Sequence, residues 1–273
     1  MIDKYNLISQ LIKRDPFFKN KNFVEFIKQY GGGETDKAYS FIYKGEEFIF
    51  EKYGYLIMLK GYYNTGMETD CIIIGIDEEK KIASINNISA DDGLICFKQT
   101  THKKGTFLLE LAIKFVKQLI KNNNINSNTI ILEDNSMLIC KKNNVPLSDL
   151  KMIISGETFY SKHGFIPRNI KDVITFNKNK NVLSKMKIKD FDFLKYLLKF
   201  NNNKKYSSMI NFININKENK IGSFFEKYSQ KQYFKDTCII IHYLLEKILK
   251  KNNLKSLHSI KMELSLLRSP SNT

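Results

Sequence analysis

The chain has 273 residues, of which 42% are hydrophobic and 12% aromatic. That is enough to bury a core with an extension beside it, and it excludes wholesale disorder. The formal charge is +16, which invites a polyanion as partner. It is uneven: residues 181–273 carry 18 Lys/Arg against 7 Asp/Glu, a surplus of +11. Only Arg14, Arg168 and Arg268 are arginines. Lys holds phosphate as a point charge, whereas base readout leans on bidentate Arg, so sequence-specific DNA recognition is disfavoured. Lys, Asn and Ile are all abundant and share AT-rich codons, a second source of the charge. No apolar run reaches the ~17 residues of a membrane helix. The start, MIDKYNLISQLIKRDPFF, lacks a signal peptide's apolar core.

In chain order, residues 1–34 predict two short helices, with stripes at Ile2, Leu7, Leu11 and Ile12 and at Phe23, Phe26 and Ile27. Gly31-Gly32-Gly33 separates them from the segment beyond. AYSFIY, EEFIFEKY, YLIMLKGYY, CIIIGID and KIASINNIS predict an antiparallel meander across 38–89. Phe107, Leu108, Leu111, Ala112, Phe115, Val116 and Leu119 mark one face of a long helix. NTIILEDNS predicts a buried strand. A second helix is expected from Ser148 to near Gly164, and DVITF (172–176) reads as another strand. From about residue 184 the pattern is helical to the end. The Asn-rich stretch there predicts a loop with a short ordered piece. Cys71, Cys96, Cys140 and Cys238 are scattered with no CxxC. That argues against zinc or a disulfide scaffold and fits a reducing compartment.

Two motifs carry chemistry. The first is THKKGTFLLELAIKFVKQL, a basic turn with one glycine that opens the long helix. Such a turn offers backbone N–H groups and a favourable dipole to an anion. The second is TFYSKHGFIP. HExxH, GxSxG and GxxxxGK[ST] are all missing from the chain.

In their order and spacing, with a helix, a strand and a helix between, these motifs resemble the GNAT family of acetyl-CoA-dependent N-acetyltransferases. The wording around LEDNS and VPLSDLKMIISGETFYSKHGF is similar to acetyltransferase-like proteins of large DNA viruses. The resemblance covers about residues 38–180. It implies an α/β (α+β) fold of the acyl-CoA N-acyltransferase kind: a mixed, mostly antiparallel sheet with flanking helices, plus a helical C-terminal extension. The corresponding divisions are 1–34, 35–183 and 184–273.

It also implies a site. Lys103, Lys104, Gly105 and Thr106 would hold the CoA pyrophosphate, although the family commonly has two glycines in that turn. The backbone near Ile88 and Ser89 would pair with the pantetheine arm, beside a strand that splays from 129–133. Tyr160 would protonate the leaving thiolate, a role that suits a phenol with a reference pKa of ~10. Glu133 or Asp134 would take the proton of the attacking amine.

Each of these residues also has a plainer role. Gly105 suits any turn before a helix, Lys103 and Lys104 suit solvent, Tyr160 suits a core edge, and Asp134 suits an exposed strand end. His102 and His163 have no partner at metal spacing, and His242, within an apolar helix, reads as a core residue. Two functions are open. One is acetyl transfer from acetyl-CoA to a small-molecule or protein amine, in the cytoplasm (host cytoplasm or virion if viral). The other is an inactive acetyltransferase-like fold that binds nucleic acid or a virion protein through 184–273. No membrane association is expected.

Overall fold

The computed structural model describes residues 23–29, 35–63, 65–89, 93–97, 104–140 and 144–266. Those within Met1–Ile131 and Ser265–Thr273 form one compact unit, and those of Leu132–Leu264 form another. Across both, the architecture is mixed α/β, with mostly antiparallel pairing and flanking helices.

The first unit is built on strands β1 (Phe23–Gln29), β2 (Thr35–Tyr43), β3 (Glu46–Tyr53), β4 (Leu56–Tyr63), β5 (Glu68–Asp77) and β6 (Ile82–Ile88). Each pairs antiparallel with the next. The turns explain the register. Lys44 and Gly45 both have positive φ (51° and 80°), the tight hairpin geometry that matches strand twist. β-Branched and aromatic residues alternate into the core, with Phe48, Phe50, Ile57 and Leu59 buried. A short β7 (Leu94–Ile95) pairs with β4. Helix α1 (Lys104–Lys121) lies over the sheet. Its Phe115 ring stacks on Phe50 at 3.8 Å between centroids, and its Phe107 meets Phe48 at 5.9 Å. Each fully buried Phe contributes roughly 1.5–3 kcal/mol of burial.

Strand β8 (Thr129–Glu133) follows α1 and neighbours β6. Asn128 N–H donates to Lys81 O at 3.1 Å, so the two strands begin side by side and run parallel. A helical crossover between them is what a parallel pair requires. β6 carries a bulge: Ile73 faces Asn87 but Ile74 faces Ile85, which leaves Asn86 as the extra residue. Bulges bend a strand and re-aim its side chains.

The second unit begins within β8. It adds a hairpin of β9 (Met137–Leu138) and β10 (Val145–Pro146), helix α2 (Leu147–Ser155), β11 (Ile166–Pro167) and helix α3 (Ile170–Leu183). Helices α4 (Phe193–Leu197), α5 (Tyr206–Ile215), α6 (Gly222–Tyr228) and α7 (Lys231–Lys251) come after these, then β12 (Lys261–Ser265), antiparallel to β11. Phe193, Phe224, Phe225, Tyr228, Ile241 and Leu244 are buried among these helices. Gly222 lets α6 approach α2: a Cβ there would collide with the Ile153 and Ile154 carbonyls.

Several expectations are corrected. Phe23–Gln29 is a strand, not a helix; short apolar runs fit either period, and pairing with β2 decides. The rest of the predicted N-terminal helices and the Gly31–Gly33 break lie outside the described residues. DVITF lies within α3. Asn169 caps that helix, its side chain accepting from Asp172 N–H at 2.9 Å, and the cap outweighs strand propensity. The second helix ends at Ser155, because Gly156 turns left-handed (φ 74°). The C-terminal region closes on a strand, β12. The cysteines form two disulfides, Cys71–Cys96 and Cys140–Cys238, with Cα separations of 5.8 and 5.9 Å. Residues 25 and 98 apart in sequence meet in space, which spacing alone does not reveal. These bridges remove the ground for inferring a reducing compartment. No described helix is long and apolar enough to cross a membrane.

Candidate acid–base site

Alternation along β8 separates the two carboxylates that the sequence leaves as equals. Glu133 is exposed, with its Oε1 accepting from Asn135 Nδ2 at 3.2 Å. Asp134, one position on, points inward and is fully buried. Its backbone is pinned on both sides: its N–H donates to Ile260 O and its carbonyl accepts from Ser259 N–H. One carboxylate oxygen is satisfied, since Asp134 Oδ1 accepts from Ser136 Oγ at 2.5 Å and Ser136 N–H at 3.3 Å. The other, Oδ2, is buried with no hydrogen-bond partner.

Burial disfavours the ionised carboxylate. It pushes the Asp134 pKa from 3.8 up to about 6; the bonds from Ser136 oppose the rise, nearby Asp149 adds to it, and His258 opposes it. Asp149, in the first turn of α2, is raised by the same cause, yet both its oxygens are used. Oδ1 accepts from Leu257 N–H at 2.7 Å, and Oδ2 accepts from Ser256 Oγ. Ser256 Oγ in turn accepts from His258 N–H at 3.1 Å. Asp149 therefore holds the 256–258 loop in place, while Asp134 keeps an open acceptor. His258 Nδ1 is also buried and unpartnered.

Tyr160 belongs to the same cluster. It precedes a tight 3₁₀ turn, Ser161–His163, that ends at Gly164 with φ 87°. Thr158 Oγ1 accepts from Ser161 N–H at 3.2 Å, and Tyr160 O accepts from His163 N–H at 2.9 Å. The ring packs edge-on against Phe159 at 5.1 Å and Phe165 at 6.2 Å between centroids. Burial is the main reason its phenol pKa is raised, and the negative charge of Asp134 adds to it. The phenol keeps its proton throughout the neutral range. The sequence pattern puts Tyr160 at the end of a helix; it stands at a turn instead, because α2 has already stopped.

The structure thus brings Asp134 and Tyr160 together and leaves Glu133 outside. Lys103 lies outside the described residues. Lys104, Gly105 and Thr106 form the first turn of α1, where N–H groups have no acceptor within the helix. Lys104 Nζ donates to Leu94 O, so its charge is drawn toward β7. Ile88 and Ser89 differ. Ser89 N–H is bonded to Cys71 O at 2.9 Å, across β5, which corrects its expected availability to a ligand. Paired positions alternate, so Ile88, opposite Ile72, turns its backbone N–H and C=O away from β5.

Asp149, Ser256 and His258 escape a reading of the sequence. Ser256 and Leu257 lie 107 and 108 positions from Asp149, and no local pattern marks them. His242, read as a core residue, is half-buried, with Nε2 3.4 Å from Glu246 Oε1. Among the described residues, no three His, Cys, Asp or Glu side chains gather as a metal site. In comparison with known proteins, the chain matches no family model, no curated protein and no solved structure.

Proposed function

We propose that this protein transfers an acetyl group from acetyl-CoA to an amine by direct attack, with Asp134 as base and Tyr160 as acid. The observation that carries this reading is the buried Asp134 Oδ2 without a hydrogen-bond partner, on a carboxylate whose charge acts on the Tyr160 phenol. A carboxyl with a pKa of about 6 is ionised at neutral pH yet basic enough to take a proton from an ammonium group. The amine nitrogen then attacks the thioester carbonyl carbon, the C–S bond breaks, and the thiolate takes the Tyr160 proton; the nitrogen's surplus proton returns to the tyrosinate, leaving a neutral amide, and Asp134 gives its proton to solvent. The two transfers help each other. Once Asp134 is protonated, its charge no longer adds to the rise that burial imposes on the Tyr160 pKa, and the phenol becomes a somewhat stronger acid than before.

Three further features support the reading. The chain order is that of the resembled family: an antiparallel meander, a helix and a parallel β8. The bulge at Asn86 sits on β6, the strand expected to diverge from β8. Ile88 directs its backbone away from β5. The first turn of α1 at Lys104–Thr106 is assigned to the pyrophosphate, held by backbone N–H groups.

Binding and chemistry are tested apart. In calorimetry, acetyl-CoA is expected to bind the wild-type chain and to lose most of its affinity to Gly105→Glu, which sets a carboxylate in that turn. In a thiol-release assay over an amine panel, the rate should rise with pH through about 6. It should then stay level well above neutrality, since the raised phenol keeps its proton. Asp134→Asn and Tyr160→Phe should each lower turnover by about 10²-fold or more without abolishing acetyl-CoA binding. Absence of both binding and thiol release in the folded protein would end this reading.

A further inference from the structure

The second unit holds a face on which lysines and aromatic rings alternate. On α4 and the 3₁₀ turn after it (Leu198–Phe200), Lys195 and Lys199 stand four apart, as do Tyr196 and Phe200. On α7, Tyr243, Lys247 and Lys251 are also spaced by four. This spacing puts each set on one side of its helix, and α4 packs against α7.

The rings form a connected group. Tyr196 stacks on Phe191 at 5.0 Å with an interplanar angle of 11°. Tyr243 meets Tyr196 edge-on at 6.3 Å and Phe200 at 5.5 Å. The ammonium groups lie over them. Lys199 Nζ is 3.0 Å from the Tyr243 centroid and 4.8 Å from that of Phe200. Lys247 is 5.0 Å from Tyr243, Lys251 5.5 Å from Phe191, and Lys195 5.9 Å from Tyr196. Tyr196, Phe200 and Tyr243 are all half-buried rather than sealed in the core.

Three lysines elsewhere in this unit have carboxylate partners. Glu218 neutralises Lys187 and Lys189, and Asp236 neutralises Lys204. Among the described residues, none of the four ring-stacked lysines has one. The nearby acids are engaged locally: Asp190 accepts from Lys187 N–H, Asp192 from Lys195 N–H, and Glu246 faces His242. Four uncompensated cations on one face repel each other, and a polyanion relieves that. A lysine over a ring in water is held weakly, so it can swing to a phosphate and uncover the ring.

We infer that this face binds single-stranded polynucleotide without sequence preference. A single strand supplies both things the face offers partners to: regularly spaced phosphates for the lysines, and unstacked bases for the rings. A duplex hides its bases and presents only charge. The lack of arginine on the face removes the usual bidentate base reader. The inference stands independently of acetyl transfer.

The test is fluorescence anisotropy of the full chain with a labelled oligo-dT of about 20 nucleotides, a length that exceeds common site sizes. A duplex of equal length and heparin serve as comparisons. Affinity for oligo-dT should exceed that for the duplex. It should also fall with salt at a log–log slope near about −3, as expected for four phosphate contacts on a single strand. The pair Lys199→Gln and Lys247→Gln should reduce that slope by about 1.4. Tyr243→Leu should weaken binding by roughly fivefold or more while leaving the slope unchanged. Tyr196→Leu repeats that test from the neighbouring helix, with circular dichroism checking the fold of each variant. No binding at low salt overturns the inference. So does binding of duplex or heparin as tight as oligo-dT, or oligo-dT binding that neither ring variant weakens.

Discussion

The two units place their decisive contacts at very different sequence distances. In the first, strands β1 to β6 pair in chain order, and one helix covers strands that alternation had already marked. In the second, Asp134 is bonded to residues 259 and 260, and Asp149 to residues 256 and 257. The first unit is therefore an outcome of local periodicity. The second depends on a return of the chain after more than a hundred residues, and the candidate chemistry sits where that return closes.

The disulfides give the largest expected difference between the units. Cys140–Cys238 spans 98 residues and Cys71–Cys96 spans 25. By loop-closure entropy, removing the longer bridge costs about 4.7 kcal/mol and the shorter about 3.5 kcal/mol. Urea unfolding of Cys238→Ser and Cys71→Ser checks the order, and a larger loss for Cys71→Ser would break the comparison. Thiol titration of the unfolded, unreduced chain should find no free cysteine.

Legibility divides in the same way. The meander strands, α1 and β8 were readable because side-chain period and turn residues agree with the tertiary structure. Residues 172–176 were misread because IT and VI favour strands, while the deciding Asn169 cap lies just before them. Of the site, Tyr160 and Asp134 were visible through the resemblance. The split between Asp134 and Glu133 required the pleat of β8, and Asp149, Ser256 and His258 required the fold itself.

The next contrast lies between the two buried aspartates. Asp134 has a folded pKa of about 6 against 3.8 unfolded. A raised carboxyl favours folding fully below 3.8, and that contribution disappears as pH rises through 6. Asp134→Asn should therefore stabilise the protein by up to about 3 kcal/mol above pH 7 and by almost nothing near pH 3.5. Asp149→Ala should instead destabilise by about 1–3 kcal/mol, because it orphans Leu257 N–H and Ser256 Oγ. Thermal melts at pH 3.5 and pH 8 distinguish the two. The contrast between these residues would fail if both variants moved stability the same way.

A smaller effect sharpens the account of α3. Asn169→Ala removes the cap on Asp172 N–H and should cost about 1 kcal/mol. The loss should appear as faster amide exchange at the start of that helix. An unchanged exchange rate would mean that packing, not the cap, sets the helix against its strand-like sequence.

The central claim is that Asp134 is a base poised near neutrality. Carbon-13 NMR of the aspartate carboxyls, titrated against pH with Asp134→Asn to assign the resonance, measures it directly. A midpoint at about 6 is the predicted result. A midpoint near 4 would mean that Asp134 is solvated or fully paired, and the acid–base site would be contradicted.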